Sequence, residues 1–242
     1  MKHLKAIMTM LMILATVSCS KNQTAGSGQV TFDVSQDVEI ADLTRSNVSE
    51  FTTLPSVENF TISITGNDYS WNGLISAWDE STKLLAGDYT VEASYGSLED
   101  EGFDKPYFVG STTFTVIGGQ PVEVSIPVKL GNTVVRLEFT ESFKNYYKDY
   151  SFKLSRGNTE IALFPKNETK AAFIDGYRVT LSGTYSSELK DYSFSKEYTN
   201  LKEATAYKFV FNVNNVGGAT LSITFKEGYT ETVELGDYEL ND

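Results

Sequence analysis

The sequence predicts an all-β protein made of two tandem antiparallel β-sandwich domains, of the transthyretin-like or immunoglobulin-like type. Three observations predict this fold class: apolar and polar side chains alternate through most of the chain, turn residues separate the alternating runs, and a short segment of the first half recurs in the second. Such alternation is typical of strands that bury one face. The 15 Phe and 14 Tyr residues provide bulk for two cores.

The alternating runs define the predicted strands. They begin at Val30, Phe60, Tyr89, Phe114, Val122, Val135, Tyr150, Tyr177, Tyr207, Leu221 and Val233. Glycine, asparagine, aspartate and proline between the runs are typical of turns. One stretch departs from the pattern: Thr140 to Tyr147 predicts a short helix, with the Thr140 side chain as its N-terminal cap.

The recurring segment indicates two domains. Gly87–Val91 in the first half is echoed by Asp175–Val179 in the second. Each half then holds about seven strands, the number expected of a sandwich of ~100 residues. We therefore expect domains at 29–130 and 131–242. A single large sandwich is the alternative, and it is less favoured because domains of ~100–150 residues are the commonest.

The N-terminus predicts an export signal over residues 1–18. Lys2 and Lys5 precede an apolar run, Ala6–Val17, that ends at the small residue Ser18. A basic start, a short apolar run and a small residue at the cut are the features of a signal peptide. A membrane-spanning helix needs ~20 apolar residues, more than this run provides. We expect cleavage between Ser18 and Cys19.

Cys19 is the only cysteine of the chain, and it follows this signal directly. The segment Thr16–Cys19 resembles the lipobox of bacterial lipoproteins, which implies that the Cys19 thiol carries diacylglycerol and that residues 19–28 form a lipidated tether. Two acyl chains are enough for stable membrane anchoring. The alternative is an ordinary secretory signal followed by a stray thiol, although an odd cysteine in an exported protein normally needs a special explanation.

Composition excludes several classes of function. Cleavage after residue 18 removes two lysines and the only histidine, so the mature charge is 18 − 32 = −14. An acidic chain without a Lys/Arg cluster argues against nucleic-acid binding. Without histidine or a free thiol, imidazole bases, cysteine nucleophiles and His/Cys zinc sites are excluded. We therefore expect a non-enzymatic protein without a cofactor or a bound metal.

Several segments carry a family resemblance. They are Leu85–Ala93, Gly102–Gly110, Phe114–Val116, Thr44–Ser46, Phe60–Ile64 and Asn132–Leu137. In these segments the chain resembles a Bacteroidetes group of lipoproteins known only as a domain of unknown function, similar in layout to the fimbrillin-like proteins. The resemblance implies tandem transthyretin-like sandwiches on the outer membrane, and it brings neither an activity nor catalytic residues.

Arg45 is a candidate processing site, because it lies among polar residues in a stretch that predicts an open loop. In fimbrillin-like pilins, cleavage after an arginine at the corresponding place removes the first strand and opens a groove for a strand of the next subunit. The resemblance thus implies possible cleavage between Arg45 and Ser46. The alternative, an ordinary exposed arginine in a protein that keeps its lipid, is favoured.

Trp71, Trp78 and Tyr107 are candidate glycan contacts, because they lie in segments without clean alternation. Exposed aromatic rings there would stack on sugar rings. Core packing is the favoured alternative for aromatics in a sandwich. The acidic run Glu99–Glu101 with Asp104 lacks the spacing of a calcium loop, so we expect a solvated acidic turn.

These inferences predict a lipid-anchored, non-enzymatic protein of the outer membrane that acts in adhesion or in association with fimbriae. A surface glycan-binding lipoprotein is the first alternative, and a pilin that polymerises by donor-strand exchange after cleavage at Arg45 is the second. The expected partners are the membrane, through the lipid on Cys19, and fimbrial subunits or glycans. The cell surface is the favoured orientation, and a periplasm-facing one stays open because no acidic residue follows Cys19 before Asp33.

Overall fold

The structure, a computed structural model, describes residues 26–37, 47–188, 190–215, 218–225 and 238–239. The strands of the first half are β1 (Ser27–Asp37), β2 (Thr61–Gly66), β3 (Tyr69–Leu74), β4 (Lys83–Leu85), β5 (Gly87–Tyr95), β6 (Gly102–Phe103), β7 (Phe108–Val116) and β8 (Val122–Leu130). Short 3-10 helices lie at Val48–Glu50, Val57–Asn59 and Ile75–Ala77.

The second half contains further strands and a helix. They are β9 (Thr133–Phe139), α1 (Glu141–Tyr146), β10 (Asp149–Arg156), β11 (Thr159–Pro165), β12 (Ala171–Ile174), β13 (Arg178–Ser186), β14 (Asp191–Thr199), β15 (Ala206–Asn215), β16 (Gly218–Phe225) and β17 (Tyr238–Glu239). The all-β sandwich fold that the sequence predicts is confirmed. Within the part of the chain that the structure describes, no helix has the length and apolar character of a membrane span.

The first sandwich is a seven-stranded sheet, in the order β3-β2-β5-β7-β8-β1-β4, that folds over on itself. The ladder between β7 and β8 comprises the pairs Phe108–Leu130 and Val109–Lys129, so the two strands diverge beyond it. Gly110 lies next to this corner, where a Cβ atom would collide with the Pro127 carbonyl oxygen. The two parts of the sheet enclose one hydrophobic core.

The second sandwich packs two sheets face to face. One has the order β11-β10-β13-β14 and the other β17-β16-β15-β9-β12-β6. Aromatic rings fill the space between them: the Phe211 ring centroid lies 4.3 Å from that of Phe152 and 5.1 Å from that of Phe139. The helix α1 closes one end of this core with the buried Phe143. Its cap is the predicted one, because the Thr140 hydroxyl accepts a hydrogen bond from the Phe143 N–H at 3.2 Å.

Two strand pairs correct the prediction of purely antiparallel sheets. β1 runs parallel to β8, from Val30–Val122 to Asp37–Lys129, and β9 runs parallel to β15. The alternation of side chains reports which face of a strand is buried and carries no information on the direction of its neighbour. Each of these pairs also joins strands that are far apart in the sequence.

The two cores share a wall formed by β9, β12 and β15. Along β12 every residue is buried, because alternate side chains enter opposite cores. Phe173 packs into the first core, whereas Ala172 and Ile174 pack into the second. The strand β6 belongs to the first half by sequence and pairs with β12. The domain boundaries 29–130 and 131–242 stay predictions. Across the boundary, β6 of the first range belongs to a sheet of the second.

Candidate functional site

The first strand, β1, begins at Ser27, so it takes in the last two residues of the predicted tether (19–28) and would connect the rest of the tether to the folded protein. It lies between β8 and β4 and pairs with β8 over eight residues. Its Val30 and Val34 side chains are buried in the first core, and Phe32 packs against that core. The period-two pattern therefore places a strand here with one face toward the core; β4 pairs with its first residues, Ser27–Gln29, and β8 pairs with the eight residues that follow.

The Trp78 side chain contacts β1 through a hydrogen bond and a ring contact. Its indole Nε1–H donates a hydrogen bond of 2.9 Å to the Val30 carbonyl oxygen, and its ring lies edge-on to Phe32 with centroids 5.3 Å apart. Only 8% of Trp78 is exposed. The open ring face that glycan stacking needs is therefore not present at Trp78. The 3-10 turn Ile75–Ala77, which breaks the alternation, brings this ring back over the sheet.

Trp71 belongs to the same aromatic cluster. Its ring meets Trp78 edge-on, with centroids 5.1 Å apart, and covers the backbone of Gly73. It is partly buried on the core side of β3. A contact between Trp71 and a glycan stays a prediction, because part of the ring remains accessible, but its packing resembles that of a core residue.

Tyr107 lies at the junction of the two sandwiches rather than in an open loop. Its backbone N–H donates to Asn132 Oδ1, and its carbonyl oxygen accepts from the Gly131 N–H at 2.7 Å. The ring lies against Gly131, where a Cβ atom would be too close to it. Tyr107 thus holds the connection between β8 and β9, and this partly buried position suits a structural contact better than a sugar platform.

An ion pair joins the halves at the same junction. The Arg156 guanidinium contacts both carboxylate oxygens of Glu101 and donates to the Asp175 carbonyl oxygen at 2.7 Å. Glu101 also accepts from the Asp175 N–H at 2.6 Å. The Glu101 side chain is 10% exposed and that of Arg156 is 35% exposed. Bidentate, charge-assisted bonds at a shielded site are stronger than ordinary surface pairs.

Two other carboxylates of the acidic turn form ion pairs at the surface. Asp100 contacts Lys105 and Asp104 contacts Lys170, each at 2.8 Å. These pairs are exposed and contribute little to stability. Among the described residues, no group of three or more His, Cys, Asp or Glu side chains is arranged to hold a metal ion. Arg156 could not be identified from the sequence, because a single arginine in a strand gives no signal of its partner.

The surface carries shallow grooves. One of about 320 Å³ lies beside the acidic turn and is lined by Tyr95, Gly96, Ser97, Asp100, Asp104, Lys105 and Pro106. Another, of about 330 Å³, lies on the outer face of β10, β13 and β14, with Ser182, Gly183 and Thr184 in its floor. Volumes near 300 Å³ are at the lower end of those of small-molecule sites.

A tyrosine cluster lies at the end of the second sandwich that is remote from the junction. The Tyr185 ring centroid is 4.8 Å from that of Tyr147 and 5.2 Å from that of Tyr192. Burial raises the pKa of Tyr147 to about 12, and it also raises the pKa of Tyr185. These shifts favour neutral phenols, as expected of a packed cluster rather than of a catalytic base.

The range from β1 through the second sandwich corresponds to one family. DUF4493, described as a domain of unknown function, matches residues 26–236. The chain belongs to this family. The predicted membership in a family of unknown function is confirmed, and the DUF4493 range begins one residue before β1 and takes in both cores. Among curated proteins, none matches the chain.

Solved structures similar to this DUF4493 chain come from species of Bacteroides and Parabacteroides. A candidate cell adhesion protein from Bacteroides ovatus has 10% identity and a TM-score of 0.49, with 85% of this chain and 99% of that one covered. A candidate polysaccharide binding protein from Bacteroides thetaiotaomicron has 8% identity and a TM-score of 0.47, with 86% of this chain and 99% of that one covered. A fimbrial assembly protein from Parabacteroides distasonis has 9% identity and a TM-score of 0.46, with 83% of this chain and 98% of that one covered.

Four of the predicted site residues lie outside the described part of the DUF4493 chain. Ser18 and Cys19 precede it, whereas Arg45 and Ser46 fall between β1 and the 3-10 helix that begins at Val48. Lipidation at Cys19 and cleavage after Arg45 therefore stay predictions. In the sequence, β1 lies between these two sites.

Proposed function

We propose that this DUF4493 chain is a non-enzymatic protein, anchored in the outer membrane by a lipid on Cys19 and exposed at the cell surface, that acts in adhesion or in association with fimbriae. One observation carries the proposal. The strand that follows the predicted tether, β1, pairs in parallel with β8, the strand that leads into the second sandwich. The β1–β8 ladder thus connects the tether to the strand that leads into the second sandwich, and β4 pairs with the first residues of β1.

This arrangement suits a protein that works under tension. Force from the membrane would enter β1 at Ser27, and force from a partner held by the second sandwich would enter β8 at Leu130. In the parallel register these two points lie at opposite ends of the ladder. The force then runs along the strands and acts on all of their hydrogen bonds together, whereas a perpendicular force would break them one at a time. The β9–β15 pair of the second sandwich is also parallel.

The test of this proposal begins with the mature protein from membranes. Mass spectrometry is expected to find diacylated or triacylated Cys19 at the N-terminus, and protease treatment of intact cells is expected to degrade the protein. A Cys19→Ser variant, which cannot carry the lipid, should leave the membrane fraction and abolish adhesion of the cells. An unmodified mature protein, or one that is protected until the cells are lysed, would contradict the proposal.

A pilin is the second candidate, and the position of β1 favours it. Removal of β1 would uncover the core positions now filled by Val30 and Val34, together with the Trp78 indole, and a strand from another subunit would fit there. The expected evidence is a mature N-terminus at Ser46 and SDS-resistant ladders, both lost in Arg45→Ala and retained in Arg45→Lys if the protease accepts lysine. Acylated Cys19 on all of the cell-surface protein would exclude this candidate.

A further inference from the structure

Two exposed apolar side chains flank the point where the tether meets the folded protein. Leu85 is 62% exposed and Ile117 is 46% exposed. Leu85 pairs with Ser27 across the β1–β4 ladder, and the Ala86 N–H donates to the Gly26 carbonyl oxygen at 2.9 Å. On the other side, the Gly119 N–H donates to the Ser27 carbonyl oxygen at 3.0 Å. Both side chains therefore lie beside the start of β1.

We call this end of the molecule the anchor pole, and define it as Gly26 with residues 85–87 and 117–119. Its two loop segments read Leu-Ala-Gly and Ile-Gly-Gly, without a charged residue. These two segments can enter the interfacial region of a bilayer without removing a charge of their own from water, which would be costly; the exposed Asp88 that follows Gly87 marks the limit of the uncharged segment. Exposed apolar side chains at loop tips gain free energy when a lipid surface covers them.

The chain length brings the anchor pole to the membrane. Cys19 precedes Gly26 by 26 − 19 = 7 residues, and seven fully extended residues span at most about 25 Å. A lipid on Cys19 would hold the pole within this distance of the bilayer surface at all times. The high local concentration makes even a weak contact with the lipid effective.

We propose that the anchor pole docks on the lipid surface through Leu85 and Ile117, and that this contact directs the second sandwich away from the membrane. The direction follows from the strands, because β1 and β8 both run from the anchor pole toward the junction at Asn132. The inference rests on the proposed function, since it requires the acyl chains on Cys19.

The test uses the acylated protein in phosphatidylcholine vesicles with an environment-sensitive fluorophore on one introduced cysteine. Acylation occupies the Cys19 thiol, so Leu85→Cys and Ile117→Cys each provide a single reactive thiol. Leu163→Cys is the matched control, because Leu163 is 44% exposed and lies in the second sandwich, on β11. The proposal predicts a blue shift and quenching by brominated phospholipid at positions 85 and 117, and neither at 163.

The outcomes separate the inference from the proposed function. Acylated protein without quenching at positions 85 and 117, or with equal quenching at 163, would overturn the docking contact and leave the lipid anchor intact. A blue shift of full size before vesicles are added would mean that a second copy covers the pole, and would also overturn the proposal. Unmodified Cys19 would overturn both the proposed function and this inference. Unchanged thermal melting of each variant shows that it is folded.

Discussion

At the scale of single residues, Trp78 and Arg156 show how the chain uses side chains that resemble functional ones to hold its own structure. The Trp78 indole is hydrogen-bonded to the backbone of β1, and the Arg156 guanidinium connects β10 to the acidic turn. Both side chains act between elements that are distant in sequence. Substitution of either residue is therefore expected to lower stability more than it affects binding.

Trp78→Ala should destabilise the first sandwich strongly. The change leaves a cavity and removes the donor to Val30, and truncation of a buried tryptophan typically costs about 3–5 kcal/mol. Trp78→Phe keeps most of the volume and should cost about 1–3 kcal/mol, the range for a buried acceptor without its donor. Urea denaturation of the Cys19→Ser protein measures both. Tyr177→Ala, at a side chain that is 69% exposed, is the control and should stay within about 0.5 kcal/mol of the parent. Equal stability of Trp78→Ala and the parent would contradict the role assigned to Trp78.

The junction pair is best tested by a double-mutant cycle with Glu101→Gln and Arg156→Met. We expect a coupling free energy of about 1–3 kcal/mol, because the Glu101 carboxylate is shielded and makes bidentate contact. The control cycle uses Lys129→Met and Glu203→Gln, a pair whose side chains are 57% and 60% exposed. Exposed pairs contribute about 0–1 kcal/mol. Similar coupling in the two cycles would show that Glu101 and Arg156 form only a surface contact.

At the scale of elements, β1 is the strand on which the proposed function depends. Val34 on β1 and Val91 on β5 are both buried in the first core, and both strands belong to the same sheet. β1 belongs to the β1–β8 ladder that joins the tether to the second sandwich, whereas β5 pairs with β2 and β7. This difference separates the mechanical role of β1 from its contribution to equilibrium stability.

Val34→Ala and Val91→Ala should therefore have similar effects on equilibrium unfolding and different effects under force. Each removes two buried methyl groups, which costs about 1–3 kcal/mol. When the protein is stretched between its two ends in a single-molecule experiment, Val34→Ala should lower the unfolding force of the first sandwich more than Val91→Ala does. The opposite order would contradict the transmission of force through the β1–β8 pair.

The elements also show which features could be predicted from local sequence. The faces of the strands and the helix α1 with its Thr140 cap follow from residues within a few positions of one another, so the pattern was sufficient for them. The parallel pairing of β1 with β8 could not be predicted in this way, because strand direction depends on the path of the whole chain. The hydrogen bond from Trp78 to β1 could not be predicted for the same reason, since its acceptor Val30 is 48 positions away, although core packing is the interpretation that the sequence favours for this ring.

At the scale of the whole molecule, two cores share one wall, and polar contacts at the junction connect them. This arrangement couples the two sandwiches more closely than a flexible linker would. The tyrosine cluster, with Tyr147 and Tyr185, lies at the end of the second sandwich away from the junction, because β9 and β13 both run from the junction toward it.

The tyrosine cluster predicts loss of stability at high pH. Burial raises the pKa of Tyr147 to about 12 in the folded protein, and the pKa of Tyr185 is raised as well. In the unfolded chain the pKa of tyrosine is about 10, so the unfolded state loses its protons first. The contribution of these protonated phenols to the free energy of unfolding is complete below about pH 10, and it declines as the pH rises toward 12. Thermal melting at pH 9 and pH 11 measures this decline, which should be smaller in Tyr185→Phe. An equal decline in the parent and this variant would contradict the prediction.

The amino-acid sequence alone determined the all-β class, the faces of the strands, the helix cap and the membership in a family of unknown function, because alternation and capping depend on neighbouring residues. It also carries the signal-like N-terminus and Cys19, on which the proposed anchor rests. The tertiary structure decided which strands pair in parallel, that the cores share a wall, and that Trp78 and Tyr107 serve as internal contacts. These features depend on contacts between distant parts of the chain, and packing selects such contacts only when the whole chain is folded.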